Sequence, residues 1–163
     1  MRILGIDPGL ANTGWGVIEE NNLRYRPVSF GTITTKTSMR KEERIFTIAR
    51  KLGELSASYE VDLVGIEDIF FAQNVSSAIT VAKVIGAVIQ QMTLNGLEVA
   101  VFTPLQIKMA VTGMGTAEKK QVQQMVRLLL KLEEIPRPDH AADSLAVAIC
   151  LASQLKSFKR KLH

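Results

Sequence analysis

The sequence predicts an α/β fold built on a mixed sheet, an antiparallel meander followed by parallel strands, with helices flanking it. The chain has 163 residues, of which 47% are hydrophobic and 22% are charged, and this composition is ordinary for a globular domain. Apolar segments near the start are separated by short turns, which favours antiparallel pairing. Beyond residue 40, strand-like and helix-like segments alternate, and helical crossovers imply parallel pairing.

The first three predicted strands follow one another through short connections. Residues 2–7 (RILGID) are almost continuously apolar, as is typical of a buried strand. PGLANTG indicates a turn, and WGVIEE and LRYRPVSFGTITT then form two strands joined by a tight turn at Asn21-Asn22. We expect Pro27 to place a bulge or a sheet edge in the third strand.

The hydrophobic period changes to that of helices from about residue 40. A helix over 40–59 carries its apolar residues on one face: Ile45, Ile48, Ala49, Leu52 and Leu55. A central strand (VDLVGIE), a helix over 74–94, a strand (LEVAVF) and helices over about 104–111, 117–132 and 139–156 follow. Because no linker or repeat interrupts the chain, we expect one domain over 1–156 and a basic tail over 157–163.

The composition also indicates the kind of partner and the compartment. A net charge of +4 favours an anionic partner, although the basic end KSFKRKLH has the alternative of a solvated, frayed terminus. The single Cys150 cannot form an internal disulfide and suits a reducing cytoplasm. Lys83 interrupts the longest apolar run, and the first strand leaves no room for a signal peptide. We therefore expect a cytoplasmic protein without a membrane partner.

The helix over 74–94 is apolar on nearly every side. One stripe contains Val75, Ala78, Ile79, Ala82, Ile85, Gly86, Ile89 and Met92. Val81, Val84 and Val88 lie off that stripe, and a helix that is apolar all round has to be buried nearly all round. We expect one side to face the sheet and the other a partner chain, with Ala82 and Gly86 permitting close approach. The alternative is that the C-terminal helices cover it.

Two apolar strands run directly into a carboxylate. Asp7 ends the first strand before a Pro-Gly pair, and Glu67 ends the central strand LVGIE. Such a charge is costly unless it is compensated, although Asp before Pro-Gly also commonly opens a turn. Parallel strands bring their carboxyl ends to one edge, where α/β active sites usually lie. Alternation with Leu63 and Gly65 selects Glu67, not Asp68, as the inward side chain.

A third polar element lies in RPDHAADSLAVAI, near the C-terminus. Pro138 opens a helix with Asp139 near its cap, and His140 and Asp143, three residues apart, share the face that packs inward. A lone histidine on an apolar helix is more often a core residue than a ligand. Together with Asp143 and two carboxylates at strand ends, His140 instead indicates a metal site.

Clustered carboxylates repel one another unless a cation lies between them. Oxygen-rich sites suit Mg²⁺, and the imidazole adds tolerance for Mn²⁺. In a site with two such ions, one ion activates water and both stabilise displacement at phosphorus. The cluster therefore predicts metal-dependent phosphoryl chemistry, with two ions in each active site.

The segment TGMGTAEKK is a glycine-rich turn at the start of a helix. Free backbone N–H groups and Lys119 at such a helix start suit a phosphate. The spacing between the glycines and the lysine is not that of a Walker loop. A plain helix cap is the alternative.

Taken in order, these motifs resemble the RuvC family of Holliday-junction resolvases. The resemblance is carried by GIDPG with GWGV, IED followed by Phe70, GTAEKKQV and DHAADSLAVAI, and it covers residues 1–155. It implies a ribonuclease-H-like nuclease domain, a homodimer, divalent metal dependence and paired nicks at symmetric points of a four-way DNA junction. It also implies a branch-migration motor as a partner in DNA recombination and repair.

The resemblance also carries the family's site residues onto this chain. The catalytic and metal-binding positions fall on Asp7, Glu67, His140 and Asp143. The DNA-binding positions fall on Phe70, Lys108 and Lys119. The third catalytic position is aspartate in many members, so whether His140 binds metal or transfers protons stays open. The family often has an arginine directly before Gly86, where this chain has Ile85.

Two other classes of function are alternatives to this one. An actin-like ATPase also uses a GIDPG-type loop, but it would require a second phosphate loop and a second domain, for which the chain is too short. A catalytically silent junction-binding module would have no reason to keep four site residues intact. A junction-resolving endonuclease is therefore the predicted function.

Overall fold

The computed structural model describes residues 1–22, 24–69 and 75–161, with side chains described as far as residue 155. In chain order its elements are β1 (Arg2–Asp7), β2 (Asn12–Asn21), β3 (Arg24–Thr34), α1 (Lys41–Ser58), β4 (Leu63–Glu67), α2 (Val75–Leu94), β5 (Glu98–Phe102), α3 (Pro104–Thr112), α4 (Lys119–Leu129) and α5 (Asp139–Lys161). The predicted α/β class and the predicted order of elements are confirmed.

The strands form one sheet in the order β3-β2-β1-β4-β5. β1 pairs antiparallel with β2, which pairs antiparallel with β3, and β1, β4 and β5 are parallel. Opposite Val17 and Ile18, the register of β3 steps from Ser29 to Pro27, which leaves one residue unpaired. The bulge predicted at Pro27 is therefore present.

The two faces of the sheet carry separate cores. Alternate residues of β1 point to opposite faces, with Ile3 in the core beneath α3, α4 and α5, and Leu4 in the core beneath α1 and α2. Gly5 and Gly14 let α5 lie directly on β1 and β2, because a Cβ on either glycine would collide with the backbone of α5. At Gly14 that collision is with the carbonyl oxygen of His140, so the glycine determines how closely His140 approaches the sheet.

Some predicted boundaries and one packing alternative are wrong. The strand β2 begins at Asn12, inside the predicted turn, because it pairs with β3 from that residue. The helix α5 continues to Lys161, past its predicted end at 156. The C-terminal helices do not cover α2, because they pack on the opposite face of the sheet.

By length and composition alone, α2 is apolar enough to cross a membrane, contrary to the expectation from the apolar run that Lys83 interrupts. The strands on either side of α2, however, are β4 and β5, and these pair with each other in the sheet. A helix crossing a bilayer of about 30 Å would place the two strands on opposite sides and break that pairing. The apolar character of α2 therefore needs another explanation.

Candidate active site

The carboxyl ends of β1 and β4 bring Asp7 and Glu67 to the same edge of the sheet. The two strands are parallel neighbours paired from Ile3 to Ile6, so the next residue of each strand is an acid. The start of α5 lies over this edge and supplies His140 and Asp143. Asp7, His140 and Asp143 each offer a ligand atom, and these atoms lie within 4.8 Å of one another.

His140 contacts Asp7 directly, although the two residues are far apart in the sequence. The Nδ1 atom of His140 lies 2.7 Å from Oδ2 of Asp7. When Nδ1 carries the proton it donates to this carboxylate, and the lone pair of Nε2 is then available to a metal ion. The contact fixes the imidazole ring beside Asp7.

Two lysines line the other side of the cluster. Lys119 Nζ lies 2.9 Å from Oδ2 of Asp143 and 3.4 Å from Oδ2 of Asp139. A cleft of about 200 Å³ is lined by Glu67 and Asp143 together with Lys108 and Lys119. The structure thus places six of the seven predicted site residues at one sheet edge, and Phe70 lies outside the described residues.

Burial and mutual repulsion raise the pKa values of two of these carboxyl groups. Burial, together with the charges of Asp7 and Asp143, raises the pKa of Glu67 from its ordinary 4.5 to about 7, against a smaller lowering by Lys119 and Lys108. Burial also raises the pKa of Asp7, against the hydrogen bond from His140. For Lys119, the hydrogen bond to Asp143 and the two acidic charges outweigh burial and raise its pKa.

The cluster brings three carboxyl groups, Asp7, Glu67 and Asp143, beside two lysines, Lys108 and Lys119. Its donors are carboxylate oxygens and one imidazole nitrogen, which is a ligand set that suits Mg²⁺ or Mn²⁺. The residues present therefore fit a divalent cation.

The metal-free protein is expected to lose stability as the pH rises from about 4.5 to about 7. In this window folded Glu67 keeps a proton that the unfolded chain releases, and the free energy of unfolding then falls with pH. The loss is on the order of 2–3 kcal/mol. Urea unfolding in EDTA at pH 5 and pH 8 measures it, and Glu67→Gln is the comparison. If this variant keeps the full pH dependence, Glu67 is not the group responsible.

Substitutions of His140 distinguish metal binding from proton transfer. A metal ligand can be replaced by another ligand, so His140→Asp is expected to keep cleavage within about tenfold of the unsubstituted protein, whereas His140→Ala loses it. Cleavage rates across pH, with Mn²⁺ binding measured in parallel, check this. Equal losses in both variants, with Mn²⁺ affinity unchanged, would assign His140 to proton transfer.

The second partner of Lys119 was not predicted. The sequence indicates Asp139 only as a helix cap, whereas the structure shows an ion pair between Asp139 and Lys119. Asp139 and Asp143 are four residues apart, which places both on one face of α5. That spacing was the available signal.

Comparisons with known proteins agree with this arrangement. Residues 3–151 match the family model described as "Crossover junction endodeoxyribonuclease RuvC". A protein of that name from Caldanaerobacter subterraneus is 47% identical over 150 residues, which covers 92% of this chain and 91% of that protein. Another, from Clostridioides difficile, is 44% identical over 156 residues and covers 96% and 92%.

Solved structures are similar over nearly the whole chain. Thermus thermophilus RuvC has a TM-score of 0.89 and 32% identity, covering 97% of each chain. The same protein in complex with a Holliday junction substrate has a TM-score of 0.88 and 30% identity, covering 96% of each. The mixed sheet with its flanking helices is the ribonuclease-H-like fold that the family resemblance implies. The chain belongs to the RuvC family of crossover junction endodeoxyribonucleases.

Proposed function

We propose that this chain is a metal-dependent endonuclease that resolves four-way DNA junctions by paired symmetric nicks in recombination and repair. The observation that carries the proposal is the acidic cluster of Asp7, Glu67, His140 and Asp143 at the sheet edge, flanked by Lys108 and Lys119. Family membership supports it, and so does the similarity to a structure that contains a Holliday junction.

We assign the metal-binding role to the four residues of the acidic cluster, with two Mg²⁺ ions, or Mn²⁺, in each active site. When bound, the ions supply an activated water and neutralise charge developing on the scissile phosphate. Lys108 and Lys119 line the cleft and present ammonium groups to the same phosphate. Asp139 keeps a partner for Lys119 when Asp143 is engaged elsewhere.

A homodimer is the second part of the proposal. One face of α2 stays exposed: Val75 is 67% and Ile79 is 51% accessible, and a Cβ placed on Gly86 would meet no atom within 4 Å. Beside it, a groove between α1 and α2 is lined by Phe46 and Leu94. A junction is cut at two symmetric points, so two active sites related by a two-fold axis are required.

Four further assignments complete the proposal. A branch-migration motor as partner and base stacking by Phe70 at the junction centre rest on the family, whereas a cytoplasmic location and a basic tail over 157–163 rest on the composition. For Phe70, an aromatic side chain stacked on a loosened base contributes roughly 1–3 kcal/mol. These assignments remain predictions.

A cleavage assay on synthetic four-way junctions tests the proposed function. With Mg²⁺ we expect symmetric paired nicks in the junction, none in a linear duplex of the same sequence, and none for either substrate in EDTA. ATP hydrolysis, measured in the same preparation, is expected to be absent. An intact junction together with ATP turnover would favour the actin-like alternative, and an intact junction that is nevertheless bound would favour a silent binding module.

A further inference from the structure

Arg44 lies at the same edge of the sheet as the acidic cluster but on the opposite face. In the antiparallel pairing, Asp7 lies opposite Gly14, and Asn12 lies opposite Thr34. The end of β1 and the end of β3 therefore share one edge. Arg44 belongs to the first turns of α1, which packs against the face opposite α5.

A short chain of hydrogen bonds connects Arg44 to the loop after Asp7. The Nε atom of Arg44 donates to Oγ1 of Thr35 at 2.8 Å. That hydroxyl donates to the carbonyl oxygen of Leu10 at 2.5 Å, and Thr35 N donates to Ala11 O at 3.0 Å. The guanidinium is thereby held in one orientation beside the loop after Asp7.

Arg44 is almost buried, and no carboxylate in the described part of the chain pairs with it. The residue is 8% exposed. The two acids nearest in sequence have other partners, because Glu42 pairs with the Arg40 side chain at 3.6 Å and Glu43 accepts from the Arg40 backbone N–H at 3.3 Å. A buried guanidinium without a counter-charge lowers stability, so its presence at this position calls for an explanation.

The unused hydrogen-bond donors of Arg44 indicate which kind of anion would compensate its charge. Guanidinium carries five N–H donors, and the described hydrogen bonds use only the one on Nε. Two polar side-chain atoms of the described residues are fully enclosed and without a hydrogen-bond partner, Thr32 Oγ1 and Gln123 Nε2. The Nη atoms of Arg44 are not among them, so these unpartnered Nη atoms keep contact with solvent. Four donors in a planar fork match two oxygens of a phosphate.

We infer that Arg44 binds a backbone phosphate of a junction arm, at a position separate from the scissile phosphate. The inference rests on the proposed function, because DNA supplies the anion. Lys36 and Arg40 lie in the exposed segment between β3 and α1 and extend the positive charge along this edge. The cost of burying the charge is then offset only in the complex.

The test compares three variants of the full-length chain in EDTA, where junctions are bound but not cut. Arg44→Met keeps the side-chain volume and removes the charge, Arg44→Lys keeps the charge and removes the fork, and Arg50→Met is the control. Arg50 lies on the same helix and forms an exposed pair with Glu54. Junction affinity is measured from 50 to 300 mM salt together with the melting temperature.

Arg44→Met is expected to bind junctions about tenfold more weakly, with a slope of log affinity against log salt that is smaller by about one. Its melting temperature should equal or exceed that of the unsubstituted chain, because a buried charge has been removed. Arg44→Lys should restore the salt slope but only part of the affinity, and Arg50→Met should change neither.

Unchanged affinity and slope in Arg44→Met would overturn the inference. A lower melting temperature with the slope still unrestored in Arg44→Lys would also overturn it and make Arg44 a structural brace. If the unsubstituted chain itself shows no salt-dependent junction binding, the proposed function fails, and the inference falls with it.

Discussion

Asp7→Asn is expected to reduce junction cleavage by about 10²-fold or more while junction binding is retained. Asp7 lies at the centre of the cluster, since it contacts His140 and its charge raises the pKa of Glu67. The substitution keeps the shape of the side chain and removes one ligand charge. Binding should survive, or tighten, because a negative charge near the phosphate is lost.

The matched control for this substitution is Asp68→Asn. Asp68 follows Glu67 and is exposed, and its Oδ1 accepts from the Ile69 backbone N–H, so it stands outside the cluster. Glu67→Gln and Asp143→Asn should match the loss seen with Asp7→Asn, and calorimetric titration with Mn²⁺ should show weaker binding in all three. Near-normal cleavage by Asp7→Asn would refute the assignment of the metal site.

Ala82→Glu is expected to convert the protein from a dimer to a monomer and to lower junction cleavage at least tenfold. Ala82 is exposed on the same α2 face as Val75, Ile79 and Gly86, so glutamate there should not disturb folding. In a dimer the introduced carboxylate would be buried against the partner without a counter-charge, which is strongly destabilising. Sedimentation velocity measures the association state.

Ala57→Glu is the control for this experiment. It makes the same substitution at an exposed position of α1, away from the groove between α1 and α2. This variant should remain dimeric and active, with a melting temperature close to that of the unsubstituted chain. An unsubstituted chain that sediments as a monomer, both alone and on a junction, would contradict the dimer.

The strands that position the site were predictable because the local residue pattern of each strand indicates its environment. The uninterrupted apolar run of β1 indicates a buried central strand, and alternation in β4 separates Glu67 from Asp68. Only Glu67, of these two, lines the cleft. The bulge at Pro27 was predictable for the same reason, since proline cannot donate to the ladder.

The burial of α2 was not predictable in the same way. Its predicted stripe includes Val75 and Ile79, which are exposed, and omits Val84 and Val88, which are fully buried. When a helix is apolar on nearly every side, its periodicity cannot select the face that meets the core. That choice is made by the crossover from β4 to β5 and by packing on α1.

The sequence by itself determined the class of the fold, the order of its elements and the residues that end its central strands, because these depend on local periodicity and short connections. The tertiary structure alone decided which charges meet. The contact between Asp7 and His140 spans 133 positions, and Lys119 reaches Asp143 from another helix. Such contacts depend on distance in space, and no local pattern encodes that distance. The burial of Arg44 without a carboxylate partner among the described residues became visible for the same reason, since it exists only in the folded chain.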